Sequence, residues 1–246
     1  MTPFLHERWP VVFEDNHLLV VYKPAGLLSQ RDETGEVSLL DLSKAWIKER
    51  YRKPGQVFLG LVHRLDRPVA GIMVFARTSK AAGRLSDQLR RRRLRKVYLA
   101  VVEGRPAVAE GRLVHHIERR ERAVRIVSEP TPLSREARLA YRVRASESGR
   151  SLVEVELETG RKHQIRLQLA AAGCPIVGDL RYGAAFPLPS RPIALFARQL
   201  DLEHPTRGEV LVFTAALPLG WPWPDSETED SPFWNWEDYK ISARSF

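Results

Sequence analysis

Along the chain, apolar residues recur in two rhythms, every second position or every third to fourth. Val11–Phe13 and Leu18–Tyr22 read as two short strands about the polar turn Glu14–His17. Ser38–Arg50 reads as a helix, with Ser38 as its N-cap and Leu39, Leu42 and Trp46 at helical spacing. Ile72–Arg77 is an apolar strand. A second helix is predicted from Ser79, with Ala82, Leu85 and Leu89 on its inner face. Val97–Val102 reads as a central strand, and Gly111–Ala145 as several strands with polar interruptions. The alternation is clearest over Ser151–Thr159, where Val153, Val155 and Leu157 interleave with Glu154, Glu156 and Glu158, so one face is buried and the other wet. A helix over Lys162–Ala172 follows, with Gly173 at its C′ position. Two strands, Ile193–Leu202 and Val210–Thr214, complete the pattern. Strands outnumber helices and do not alternate regularly with them. This predicts an α+β fold with a large, mixed or antiparallel sheet.

The pattern is continuous, with no internal repeat and no Gly/Ser linker, and predicts one catalytic body over residues 1–224. Residues 225–246 form an acidic, aromatic tail, with Asp225, Glu227, Glu229, Asp230, Glu237 and Asp238 alongside Phe233, Trp234 and Trp236. With 43% apolar residues the composition suits a folded, soluble chain. No run approaches the ~20 apolar residues of a membrane span, and the N-terminus lacks a basic flank followed by an apolar run. Cys174 is the sole cysteine, so no intramolecular disulfide forms and a reducing, cytoplasmic setting is expected. One cysteine and seven scattered histidines give no zinc-ligand spacing, so no metal is expected. The net charge of +9 points to a polyanionic partner, most simply nucleic acid; a basic surface with no such partner is the other reading.

Three segments carry groups able to do chemistry. In Leu61–Gly71, Asp66 stands between Arg64 and Arg67, ahead of an apolar strand, with Pro68 and Gly71 shaping the loop. Cationic neighbours hold such a carboxylate ionised, able to act as nucleophile or base at a glycosidic carbon. A structural Asp–Arg pair explains the same residues. Tyr98, in Lys96-Val97-Tyr98-Leu99-Ala100, offers a ring for stacking and a hydroxyl for proton transfer, or is an ordinary core tyrosine. Thr159–Arg166 gathers Arg161, Lys162, His163 and Arg166 where a strand gives way to a helix, a setting for phosphate, for a carboxylate such as Asp66, or for a solvated basic cluster. Arg90, Arg91, Arg92, Arg93, Arg95 and Lys96 place six cations in seven positions. That exceeds what a helix C-terminus requires. It suggests RNA-backbone contact more than a membrane surface, because the preceding apolar face has mostly small residues.

Together these segments resemble the RluA-type pseudouridine synthases, from about Val11 to Pro218. The residues that carry the resemblance are His63-Arg64-Leu65-Asp66-Arg67 with Gly71, Lys96–Ala100, Thr159–Arg166, Pro175–Asp179 with Tyr182-Gly183, Ala194–Ala197, Glu203-His204-Pro205, and the opening Lys23-Pro24-Ala25-Gly26. Ala70 and Phe196 depart from the usual pattern, at positions without chemistry. The resemblance implies a long, mixed, mostly antiparallel sheet with a central cleft, flanked by helices and loops. It implies isomerisation of uridine to pseudouridine in rRNA or tRNA, by base flipping and aspartate catalysis and without cofactor. Asp66 would be the essential aspartate, Tyr98 the active-site tyrosine and Arg166 the arginine that pairs with Asp66. Lys23, His63, Arg64, Arg67, Arg161, Lys162, His163 and the Arg90–Lys96 cations would contact RNA. An accessory RNA-binding domain ahead of the body is expected to be absent, and a monomer is expected, with neither DNA nor membrane as partner. Two rivals remain from the residues alone. One is a non-catalytic RNA-binding or ribosome-assembly protein; the other is a glycosidase or nuclease, which would need a second carboxylate or metal ligands.

Overall fold

The structure is a computed structural model that describes residues 10–121, 123–189, 192–218 and 220–223. The acidic tail lies outside the described residues. The chain divides into two compact units, one made by residues up to 94 and 199–221, the other by residues 95–198 with a short return near 222.

In the first unit, β1 (Val11–Glu14) and β2 (Leu18–Lys23) form a hairpin, and β2 pairs with β4 (Ala70–Ala76). Every residue of β2 and β4 is buried, and up to the closing Lys23 both are apolar runs. The two-residue strand β3 (Gly60–Leu61) borders β4 on its other side. Helix α1 (Leu39–Arg50) starts at Ser38, whose hydroxyl accepts from the Asp41 N–H while the Asp41 carboxylate accepts from the Ser38 N–H. This reciprocal cap is worth about 1 kcal/mol. Leu39, Leu42, Trp46 and Ile47 bury its inner face.

Helix α2 (Ser79–Arg90) begins at Thr78 and buries Ala81, Leu85 and Gln88. The inner face is rotated by about one residue from the Ala82–Leu85–Leu89 stripe expected from periodicity. Gln88 explains the rotation: its amide donates to the Glu203 carbonyl at 2.7 Å and accepts from the Glu203 N–H at 3.0 Å. A glutamine whose amide N–H and C=O are each paired with backbone can lie inside where periodicity alone would put leucine.

The second unit is an antiparallel sheet of β5 (Arg95–Glu103), β6 (Glu110–Arg120), β7 (Ala123–Val127), β8 (Ser134–Glu147) and β9 (Arg150–Leu157), in the spatial order β5-β9-β8-β6-β7. Strand alternation gives this sheet two unlike faces. One carries Tyr98 and Ala100, aligned with Val155 and Val153, then Leu139, Ala137 and Ile117. Helix α3 (Gln164–Ala171) covers it, with Leu167 packed among Ile117, Val124 and Ala137. On the other face, the β8–β9 part is charge-compensated. Glu154 meets Arg144 at 2.6 Å, Glu156 meets Arg95 at 2.9 Å, and Glu158 lies 3.5 Å from Arg138.

Strand β10 (Leu195–Glu203) starts in the second unit and ends in the first, where it pairs with β11 (Val210–Thr214). Strand pairing within each unit is antiparallel. No described helix is long and apolar enough to cross a membrane.

Candidate active site

Asp66 sits in the loop that enters β4, and the residues on either side of it are pinned. The Ser29 hydroxyl donates to the Leu65 carbonyl at 2.7 Å and accepts from the Leu65 N–H at 3.1 Å, satisfying both backbone groups of the residue before Asp66. The Asp66 carbonyl accepts from the Val69 N–H at 3.0 Å, closing a tight turn over Arg67 and Pro68. The Arg67 carbonyl accepts from the Gly26 N–H at 2.8 Å, and Arg67 Nε returns a bond to the Gly26 carbonyl at 3.0 Å. Gly26 makes this exchange at φ +88°, a conformation that favours glycine. The Arg67 guanidinium is held bidentately by Glu36 at 2.8 and 2.9 Å. Its charge is therefore largely compensated within the protein.

Lys23, expected among the RNA contacts, has its side chain fully buried at the end of β2. Its ammonium donates to the carbonyls of Leu27 at 2.7 Å, Pro24 at 2.9 Å and Arg67 at 3.2 Å, so all three donors are used. Burial pulls its pKa down to about 7, while the negative charge of Asp66 opposes that fall. Lys23 thus acts as a strut that ties the Lys23–Leu27 turn to the Asp66 loop. It also supplies the positive charge expected from Arg64, which instead lies exposed. His63 faces the scaffold: its Nε2 accepts from the Val74 N–H of β4 at 3.1 Å.

In the second unit, Thr159–Arg166 is a built turn and not a single cationic cradle. The Gln164 side chain accepts from Thr159 Oγ1 at 2.7 Å and from the Arg161 N–H at 3.0 Å, and donates to the Arg138 carbonyl at 3.0 Å. Helix α3 therefore starts at Gln164, two residues later than expected, with His163 in the left-handed region at φ +56°. The four basic side chains then part. Arg161 Nε donates to the Glu136 carbonyl at 2.9 Å, Lys162 is exposed, and His163 Nδ1 meets the Tyr182 hydroxyl at 2.6 Å. Arg166 is buried and held by both Asp179 oxygens at 2.7 and 2.8 Å, with its guanidinium 4.9 Å from the Tyr182 ring centre. Asp179 and Tyr182 also fix each other, since the Tyr182 N–H donates to the Asp179 carbonyl at 3.0 Å. The Pro175–Asp179 and Tyr182-Gly183 motif is thus the seat of Arg166, a role that spacing alone did not reveal. Tyr98 is buried on β5, on the face of the sheet that also carries Val155.

The Arg90–Lys96 run divides in the same way. Arg90 and Arg91 both pair with Asp87, exposed pairs that hold little energy. Arg92 and Arg93 are exposed, Arg95 pairs with Glu156, and Lys96 is buried, 6% exposed. Among the described residues no group of His, Cys, Asp and Glu is arranged to hold a metal.

Residues 17–171 match the family model described as RNA pseudouridylate synthase. An uncharacterised RNA pseudouridine synthase of Bacillus subtilis is 36% identical over 211 residues, which span 85% of this chain and 68% of that protein. Ribosomal large subunit pseudouridine synthase D of Nitrosomonas europaea is 34% identical over 85% of this chain, which spans 62% of that protein. The tRNA pseudouridine synthase C of Salmonella typhi is 34% identical, with 86% of each chain covered. Among solved structures, human RNA pseudouridylate synthase domain containing 4 superposes with a TM-score of 0.72 at 26% identity, covering 85% of this chain and 88% of that one. The extent of the family match, and relatives of this identity along most of the chain, establish that this protein belongs to the RluA-type family of RNA pseudouridine synthases, isomerases that act on RNA.

Proposed function

We propose that this chain isomerises uridine to pseudouridine in structured RNA, with Asp66 as the catalytic carboxylate. The observation that carries this reading is the preparation of the Asp66 loop. Ser29, Gly26 and Lys23 satisfy the backbone on both sides of a carboxylate that faces a buried ammonium charge. Preorganisation of this kind orients a reacting group and lowers the entropy cost of reaction.

The reaction breaks the bond from uracil N1 to ribose C1′ and makes one from C5 to C1′. The C5 proton is lost and a proton is gained at N1, so atoms balance without cofactor. Asp66 acts at the ribose, by attack at C1′ or by accepting a sugar proton. Tyr98 stacks on the uracil and assists loss of the C5 proton, and Arg166, seated by Asp179, is a further residue of the site. The target base must leave the RNA stack, which costs roughly a few kcal/mol. Exposed Arg64, Lys162, Arg92 and Arg93 offset that cost through phosphate contacts. The relatives' names, one ribosomal and one tRNA, support either RNA as substrate. The proposed setting is the cytoplasm, with the protein as a monomer.

RNA carrying tritium on uridine C5 tests the reading, because pseudouridine formation must release that tritium to water. The wild type should release it from transcribed large-subunit rRNA or tRNA, and Asp66→Ala should release none while binding the same RNA. Release by both proteins would remove Asp66 from the mechanism. Tight binding without release by the wild type would favour a non-catalytic RNA-binding role.

A further inference from the structure

Three cations of the described residues are almost wholly buried, and two of them are held by partners within the protein. Lys23 donates to three carbonyls, and Arg166 is held by both oxygens of Asp179. Lys96 differs. Its side chain is only 6% exposed, yet no carboxylate offsets the cost of that burial. Burial alone pulls its pKa down, to about 8. A largely buried cation without a counter-charge is costly, and an Asp or Glu at hand would have lowered that cost. Nothing in the second unit gains stability from leaving it unmatched.

Its placement shows what it waits for. Lys96 and Tyr98 are two residues apart on β5, so their side chains leave the same face of the sheet. Farther along the same sheet face, over β6–β8, packs α3, the helix that carries Arg166. Two strand residues span roughly 7 Å, comparable with the reach from a nucleobase across its ribose to its own phosphate. The Thr159–His163 turn runs alongside: a Cβ on Gly160 would lie 3.5 Å from Lys96 Nζ, so at this point the turn offers the ammonium only a glycine.

We propose that Lys96 is a phosphate-binding residue of the site, taking the phosphodiester of the nucleotide whose base stacks on Tyr98. This rests on the assignment of Tyr98 above and separates Lys96 from the surface run Arg90–Arg95. A lysine suits the task as a compact point charge with three donors. The anion supplies the counter-charge that the protein withholds, so the burial cost is relieved only when RNA is bound.

Lys96→Met tests this, compared in the Asp66→Ala background so that bound RNA is not turned over. The probes are transcribed large-subunit rRNA and tRNA, with Kd measured across a salt series. Loss of one phosphate contact should weaken binding by about tenfold at low salt and flatten the slope of log K against log salt by ~0.7–0.9. The urea midpoint should stay or rise, because an unmatched buried charge has been removed. A lower midpoint with an unchanged salt slope would make Lys96 a structural residue. In the Asp66-intact enzyme, a reduced kcat with unchanged affinity and slope would make it a proton carrier. Either result overturns the proposal. Lys96→Gln, taken through the same series, replaces Lys96→Met if the latter does not fold. Tritium release by the wild type is read separately. Its failure would count against the isomerase reading, while the salt slope would still decide whether Lys96 holds a phosphate.

Discussion

Ser29→Ala isolates the clamp on the Asp66 loop. The substitution removes one oxygen and leaves little cavity, so packing changes hardly at all. It strips both backbone partners from Leu65, whose N–H and carbonyl bond to Ser29 Oγ at 3.1 and 2.7 Å in a buried setting. Each buried polar group left unsatisfied costs ~1–3 kcal/mol. With partial relaxation of the loop, a loss of about 3 kcal/mol is expected for the pair of bonds. For a chain of this size that corresponds to a fall in Tm of roughly 6–12 °C. Because Leu65 precedes Asp66, turnover should fall as well. A displacement near 1 Å at a reacting group can cost about 10²-fold, and a kcat reduction of about 10–100-fold is expected with RNA affinity little changed. Urea unfolding followed by circular dichroism gives the stability, and tritium release per folded molecule gives kcat. A stability loss below ~0.5 kcal/mol with kcat within about twofold of wild type would refute the argument. It would mean that the Ser29 bonds do not hold the loop.

Two further outcomes follow from the buried charges. Asp179→Ala leaves the Arg166 guanidinium buried without its carboxylate and should cost about 3–5 kcal/mol in urea unfolding. The double variant Arg166→Met, Asp179→Leu should recover most of that loss, and a single-variant cost under ~1 kcal/mol would show that the pair is not desolvated. Lys23 supplies a pH signature. Its folded pKa of about 7 lies below its ordinary value of 10.5, so between these limits the unfolded chain binds more protons than the folded one. Its contribution to stability should therefore be flat below pH 7 and rise from pH 7 to 10.5, by several kcal/mol at most, at 1.36 kcal/mol for each pKa unit. Wild type and Lys23→Met, unfolded in urea at about pH 6.5 and pH 9.5, should diverge toward higher pH. Parallel responses would mean that Lys23 is not buried as a titrating group.

What the sequence determined is local. The period of Ser151–Leu157 is a property of neighbouring side chains, and so are the Ser38 cap and the unbroken apolar runs of β2 and β4. These features specify strand or helix wherever the segment is placed. The motif around Asp66 was equally legible, since His63–Arg67 with Gly71 is contiguous. What the tertiary structure decided is where charges end. Lys23, Lys96, Arg67 and Arg166 look alike as basic letters near a motif. Folding gives the first three carbonyls, the second no carboxylate among the described residues, the third Glu36, and the fourth Asp179 with Tyr182. The rotation of α2 onto Gln88 has the same origin, because the Glu203 backbone that satisfies it is 115 residues away. The late start of α3 depends on the Arg138 carbonyl of a neighbouring strand. Hydrophobic periodicity is written in one dimension. Satisfaction of a buried polar group depends on which distant backbone or side chain folding brings within about 3 Å, and only the three-dimensional arrangement contains that information.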